Sequence, residues 1–288
     1  MIRIAIPSKG RLREPTLRLL EAAGIKVATT PSSERILMSP TNYSHIQVIY
    51  IRTEDIPNVV SEGAADLGIT GHDYVIESEA DVVELLDLRF GRARIVFAVH
   101  DSMGFSSPRE IPNGMRVATK YVNIARAYFK RIGRRVRIVR VSGATEVMPL
   151  IGVAEGVVDV TSTGTTMRAH GMKVLDTIMS TSARLIASKE ALASKRELVE
   201  SIMMSIKGVL NAEGKKLLMM NVPETNLKEV LKVLPAMAGP TVAKVESKEP
   251  MWEVYSVVSE NELLRIIFEV KARGARDILV LSIERAIP

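Results

Sequence analysis

Residues 157–167 read Val-Val-Asp-Val-Thr-Ser-Thr-Gly-Thr-Thr-Met. An apolar strand runs into six residues that are only Thr, Ser or Gly, and a helix then begins. The first N–H groups of such a helix have no partner within it, and the helix dipole is positive there. Hydroxyls of Thr161, Ser162, Thr163, Thr165 and Thr166 can add donors, and Gly164 lets the backbone approach a ligand closely. The composition suits a phosphate cradle. No Gly-Lys-Ser/Thr follows, so it is not a P-loop, and it is not a dinucleotide fingerprint. An ordinary Ser/Thr-rich helix cap has the same composition, and the residues alone leave both readings open.

The same strand–turn–helix alternation extends outward in both directions. Upstream, Ile2–Ile6, Ile46–Ile51, Asp66–Thr70, Val82–Leu86, Arg94–Val99, Met115–Ala118 and Val136–Val141 read as strands. Helical patterns cover Leu17–Ala23, Ile56–Ser61, Ile124–Ile132 and Thr145–Ala154. Downstream, Val174–Ile178 and Leu185–Ala187 are strands, followed by a long helical stretch, Lys189–Leu218. This alternation predicts α/β lobes with mainly parallel sheets. A break falls near Asn221-Val222-Pro223. Beyond it come a helix (Leu227–Leu234), a turn (Ala238-Gly239-Pro240), a strand (Trp252–Val258), a helix (Glu260–Arg273) and a strand (Asp277–Ile283). This block reads as a small α/β module of its own.

With 288 residues, 47% of them apolar and 25% charged, the chain has the composition of a folded globular protein of two domains or three small lobes. It has no cysteine, which removes disulfides, thiolate nucleophiles, iron–sulfur clusters and thiolate zinc sites. His45, His72, His100 and His170 show no metal-ligand spacing. No apolar run reaches the ~18 residues of a membrane span. The opening MIRIAIPSKGRL reads as a first strand rather than a signal peptide, so a cytoplasmic protein is expected. Net charge is +6, but residues Arg89–Arg140 hold thirteen basic residues against two acidic ones. That concentration suggests an anionic partner, nucleic acid or a polyphosphate metabolite, unless it is a solvated or subunit-facing surface. Only 4% of residues are aromatic, which disfavours single-strand binding through stacked bases.

Ten positions, Glu146, Gly152, Ala154, Val157, Asp159, Val160, Thr163, Gly164, Thr166 and Met167, stand in the register of the signature of ATP phosphoribosyltransferases. The resemblance runs along the whole chain. Ser8-Lys9-Gly10-Arg11-Leu12 is similar to the family's opening loop, and residues 63–71 to its second element. Phe90-Gly91-Arg92-Ala93-Arg94 and Val117-Ala118-Thr119-Lys120-Tyr121 also resemble family segments. The family usually places Pro after that Tyr, where this chain has Val122. The C-terminal block resembles the extra module of the family's long form.

The resemblance implies an α/β fold with two lobes of the type II periplasmic-binding-protein kind and a C-terminal ferredoxin-like regulatory domain. Residues 1–90 and 180–215 would form the first lobe and 91–179 the second; 220–288 would be the regulatory domain. It implies transfer of the phosphoribosyl group of phosphoribosyl pyrophosphate to N1 of ATP with Mg²⁺, the first step of histidine biosynthesis, under feedback inhibition by histidine. The transition state would have oxocarbenium character, so electrostatics and positioning should outweigh protein nucleophiles. Lys9, Arg11, Glu146 and Asp159 are the candidate catalytic residues, the first two as cations beside the leaving pyrophosphate. Asp159 with Thr161, Ser162, Thr163, Gly164, Thr165 and Thr166 would bind phosphoribosyl pyrophosphate. Gly71, Asp73, Arg92, Arg94, Lys120 and Tyr121 are candidates for ATP, and Thr241 and Ala275 for regulatory histidine. Direct metal ligands are left open. Glu146 and Asp159 could accept ribose hydroxyls or hold a cation; each also reads as a helix-start or turn acid. Asp73 reads equally as an N-cap, Arg134, Arg135 and Arg137 as a solvated or interface face, and His72 carries no role. The chain would form homo-oligomers, dimers and hexamers, with no nucleic acid or membrane partner. A non-catalytic two-lobed binding protein for small anions, or a nucleic-acid-binding regulator, are the alternatives.

Overall fold

The computed structural model describes residues 1–28, 37–235 and 239–287. The chain divides into two compact units, Met1–Met203 and Met204–Pro288. In the first unit, one lobe is built from β1 (Ile2–Pro7), α1 (Arg13–Ala22), β2 (Met38–Pro40), β3 (Ile46–Ile51), α2 (Ile56–Ser61), β4 (Leu67–Gly71), α3 (His72–Ser78) and β5 (Val83–Asp87). The second lobe holds β6 (Ala93–His100), β7 (Arg116–Thr119), α4 (Val122–Arg131), β8 (Arg137–Arg140), β9 (Gly156–Thr161), α5 (Thr165–Ala169) and β10 (Met172–Thr181). The chain then returns to the first lobe as β11 (Ala183–Ala187) and leaves through α6 (Lys189–Ser194) and α7 (Arg196–Ala212), whose residues from Met204 onward belong to the second unit.

The first sheet is ordered β2-β3-β1-β4-β11-β5 and the second β10-β6-β9-β7-β8. Let n denote the strand that arrives from the other lobe, and set aside the edge strand β2. Both sheets then read 2-1-3-n-4 in order of appearance, the type II periplasmic-binding-protein arrangement. Strands 1, 2 and 3 are parallel in each lobe, whereas β11 and β6, the n strands, run antiparallel to both neighbours. The expectation of mainly parallel sheets is corrected at those strands, because a strand entering from the other lobe arrives in the reverse direction. The two crossings also pair with each other: Leu88 N–H donates to Ala183 O, and Ala183 N–H to Phe90 O, each at 2.9 Å.

Apolar content explains the layering. Ile2, Ile4, Ile6 and, on the opposite face, Ala5 of β1, and Ile95–Val99 of β6, are buried, as expected of strands covered on both faces. In the second lobe Phe97 of β6 and Tyr128 and Phe129 of α4 form edge-to-face and tilted ring contacts at 5.0–6.3 Å.

The second unit follows as β12 (Lys215–Pro223), α8 (Leu227–Leu231), β13 (Thr241–Val245), β14 (Met251–Ser259), α9 (Leu263–Ala272) and β15 (Arg276–Ser282). Its sheet is wholly antiparallel, ordered β13-β14-β12-β15. This is a ferredoxin-like βαββαβ module whose core joins Leu218, Met220 and Val222 of β12 to Val230, Ile266 and Val270 of the helices.

Two of the expected helices end early. Thr145–Ala154 forms only a 3₁₀ turn at Thr145–Val147, because Pro149 cannot donate back to Thr145 and Gly152 turns left-handed at φ +71°. The stretch Lys189–Leu218 stops being helical at Ala212. Gly214 reverses the chain at φ +68°, and Leu217–Met220 pair with β14 and β15, so the break expected at 221–223 lies inside β12. The turn at Ala238 falls outside the described residues. Among the described residues no helix is long and apolar enough to cross a membrane.

Candidate functional site

Loops after strands 1 and 3 of an open α/β sheet flank the point where the chain turns to opposite sides, and ligands collect at those carboxyl ends. In the first lobe these are the loop after β1, carrying Lys9 and Arg11, and the β4–α3 junction, carrying Gly71 and Asp73. In the second they are the β7–α4 junction, with Lys120 and Tyr121, and the β9–α5 loop, with the hydroxyl-rich run.

That run is held open to solvent by its own bonds. Gly164 sits at φ +75° as the residue before α5. Its N–H donates to Thr161 Oγ1 at 2.8 Å, and Thr163 and Thr165 hydroxyls pair at 2.8 Å. Ser162, Thr163, Thr165 and Thr166 are exposed. Arg168, one turn into α5, folds back onto the loop and donates to Thr163 O at 3.1 Å. Sequence reading overlooked this cation; an Arg four residues after the loop glycine was the available signal. Asp159, half-buried on β9, accepts from Val160 N–H at 2.7 Å. The turn carrying Glu146 packs against β9.

Ser162 opens onto a cavity of about 450 Å³ together with Arg92, Arg94, Ser180, Thr181, Ser182 and Arg184. Arg184 was also missed, since β11 reads as an ordinary buried strand. Its guanidinium is aligned by Glu84 at 2.9 Å and Asp87 at 2.5 Å. Although burial alone would raise it, the Asp87 carboxyl is held below its ordinary value by the Arg89 N–H, Arg184 and Ser182. His72 bonds Glu84 at 2.9 Å. Of the thirteen basic residues between 89 and 140, Arg92 and Arg94 line this cavity. Others serve the lobe itself: Arg116 pairs with Glu155 and keeps that carboxyl below its usual range, and Arg131 covers the Tyr128 ring.

Arg11, exposed on the opening loop, donates to Gly91 O at 2.5 Å in the first crossing; Lys9 is exposed beside it. Gly71 has no room for a Cβ, which would lie 2.2 Å from Asp73 Oδ1. Asp73 is only 1% exposed, and both its oxygens are engaged: Oδ2 by Tyr121 OH and Oδ1 by Thr181 Oγ1, each at 2.7 Å. Tyr121 is fully buried, and burial with the Asp73 charge pushes its phenol far up. These two candidates for ATP therefore face each other. Lys120 lies 3.2 Å from Tyr74 OH and over the Tyr74 and Tyr121 rings. Burial pulls its ammonium down, but Tyr74, Asp159 and Asp73 outweigh that and hold it above its ordinary value. Tyr121→Phe is expected to cost about 1–3 kcal/mol, because it strips a donor from a buried carboxylate; thermal unfolding measures it.

In the second unit, Thr241 opens β13 at one sheet edge, and Ala275 precedes β15 at the other. Three strand spacings, about 14 Å, separate those edges, so one chain does not bring the two residues together.

Comparison with known proteins agrees with this architecture. The family profile described as ATP phosphoribosyltransferase matches residues 52–208, and that described as HisG, C-terminal domain, matches residues 212–285. ATP phosphoribosyltransferase of Ignicoccus hospitalis is 53% identical over 287 residues, covering 100% of both chains. That of Methanopyrus kandleri is 49% identical over 288 residues, again covering 100% of both. Among solved structures, the ATP phosphoribosyl transferase (HisG:HisZ) complex from Thermotoga maritima aligns with 72% of this chain and 98% of that one, at TM-score 0.61 and 27% identity. With both profiles matched in order and the identity sustained from end to end, the chain belongs to the ATP phosphoribosyltransferase family.

Proposed function

We propose that the cleft of the first unit carries out the family's reaction, the first step of histidine biosynthesis. N1 of the ATP adenine forms a bond to C1 of the ribose of phosphoribosyl pyrophosphate, and pyrophosphate departs with the bonding electrons. The observation that carries this reading is the single cavity shared by Ser162 of the hydroxyl-rich loop and by Arg92, Arg94 and Arg184. A sugar 5-phosphate suits the neutral donors of Thr161–Thr166, with Arg168 behind them; a polyphosphate suits the arginines. Lys9 and Arg11 would meet charge gathering on the leaving pyrophosphate, which lowers the barrier. Asp159 and Glu146 would accept the ribose hydroxyls and stabilise positive charge at C1. Gly71 and Lys120 would flank the nucleotide, with Asp73 and Tyr121 shaping that side from behind.

Mg²⁺ characteristically takes one or two carboxylates and completes its shell with substrate phosphates and water. Among the described residues no three His, Asp or Glu gather into a cage, so the fit is to a cation shared with substrate. Asp159, with Glu146 on the turn packed against its strand, would hold it. When bound, Mg²⁺ supplies charge neutralisation at the departing pyrophosphate.

The second unit would bind histidine and convey inhibition, through copies assembled as dimers and hexamers. Inhibition then requires that histidine bind a less active state more tightly. A histidine touching both Thr241 and Ala275 would need two copies. The enzyme would act in the cytoplasm.

Incubation with ATP, phosphoribosyl pyrophosphate and Mg²⁺ is expected to release pyrophosphate and yield an N1-substituted adenine, less so with histidine added. No pyrophosphate and no adduct would overturn the enzymatic reading. Release indifferent to histidine would remove the regulatory one alone.

A further inference from the structure

We infer that Glu77 is a positioning residue for the transfer: it reaches from the first lobe to cap helix α4 of the second and, with Asp73, fixes the angle at which the lobes meet. The inference rests on the two-lobed cleft being the reaction site. Helix α4 begins after Tyr121 with no side-chain cap of its own, and its first N–H groups have no partner within the helix. The Glu77 carboxylate supplies the acceptors. Asn123 N–H lies 3.0 Å from both of its oxygens, and Ile124 N–H 3.0 Å from Oε2. Asn123 Nδ2 closes the exchange by donating to Glu77 O at 2.9 Å. The carboxylate also sits at the positive end of the α4 dipole.

Asp73 lies one turn earlier on the same face of α3, since residues four apart are neighbours on a helix. It takes Tyr121 OH and Thr181 Oγ1, and Tyr74 beside it takes Lys120. One face of α3 therefore grips the β7–α4 junction, a loop at the switch point of the other lobe, and the end of β10 where the chain crosses back. A helix is usually capped by a residue just before it in its own chain. Here the cap comes from across the cleft, so the comfort of α4 depends on lobe closure. Separation of the lobes leaves the α4 N–H groups, and the Asp73 oxygen that Tyr121 engages, to find water; Thr181 stays with α3, since the adjacent Ser182 O accepts from His72 N–H at 2.9 Å. These bonds hold the lobes together and so set the distance from Lys120 to the Gly71–Asp73 junction.

The chain's lack of cysteine allows a direct test. Cysteines introduced at exposed Ser44 in the first lobe and Lys130 in the second carry spin labels, with labelled chains diluted into unlabelled ones so that only distances within a chain are read. In Glu77→Ala the substrate-free distance distribution is expected to broaden towards longer values. The KM for ATP should rise about fivefold, which is ~1 kcal/mol at ~1.36 kcal/mol per tenfold, the size of a helix cap, with kcat nearly unchanged. Glu77→Gln keeps a neutral acceptor and should fall between, and it carries the test if Glu77→Ala does not fold. An unchanged distance distribution overturns the inference, as does a loss of Tm and kcat with KM unmoved. The distance measurement needs no turnover, so it stands apart from any failure of the transferase reading.

Discussion

Asp159→Asn is expected to lower kcat by about 10²- to 10³-fold, the range for removing one preorganised electrostatic group, while Tm moves by no more than a few degrees. The side chain is half-buried near the end of β9. The bond from Val160 N–H to its Oδ1 is one that an Asn carbonyl oxygen can still accept. What Asn removes is the charge. In the ground state that charge helps to hold the Lys120 ammonium and would hold the bound cation; as the bond from C1 to pyrophosphate breaks, the ribose becomes cationic and the same charge gains a further partner. An interaction stronger in the transition state than in the ground state appears in kcat. Steady-state kinetics and thermal unfolding of the same preparation decide the matter. Comparable losses in both would return Asp159 to a structural role.

The alternation of strand and helix was legible because strands covered on both faces need mostly apolar runs, and Ile4–Ile6 and Ile95–Val99 supply them. Strand direction was not. Nothing in Ala183–Ala187 distinguishes a strand returning from another lobe from one following a local helix, and the 2-1-3-n-4 order emerges only from pairing. Local propensity also misled at Leu217–Met220, whose apolar run suits a helix as well as a strand; its partners in β14 and β15 lie far along the chain. The Glu146 segment shows the reverse case, since Pro149 announced the end of any helix there.

The hydroxyl-rich loop stood out because its residue types announce themselves within six positions. Arg184 and Glu77 did not, because their significance depends on what lies opposite: a cavity in one case, the bare end of a helix in the other. Asp73 and Tyr121 illustrate the same limit. Their residue types suit adenine recognition, and nothing in the sequence shows that they are buried together at the lobe junction, where two 2.7 Å bonds engage the Asp73 carboxylate. The concentration of positive charge between Arg89 and Arg140 pointed to an anion, yet the Arg92–Arg94 end alone meets the cavity.

Gly91→Ala should be the most damaging change at the crossing, costing about 2–3 kcal/mol of stability and at least tenfold in kcat. Gly91 lies at φ +62°, a conformation unfavourable to any residue with a Cβ. A Cβ there would also lie 2.2 Å from Leu12 Cδ2, and Leu12 is only 4% exposed, so its side chain has little space into which to retreat. The displacement would pass directly to the opening loop, because Arg11 bonds Gly91 O from the adjacent position. A shift of ~1 Å in a group that must meet a developing charge costs on the order of 10²-fold, and ten is a conservative floor. Leu12→Ala separates clash from backbone strain. If contact with Leu12 dominates, the double variant Gly91→Ala/Leu12→Ala should lose less stability and activity than the two single losses combined, because neighbouring residues couple. Additive losses would assign the effect to the left-handed backbone alone, and an active, stable Gly91→Ala would show that the opening loop does not depend on the crossing for its position.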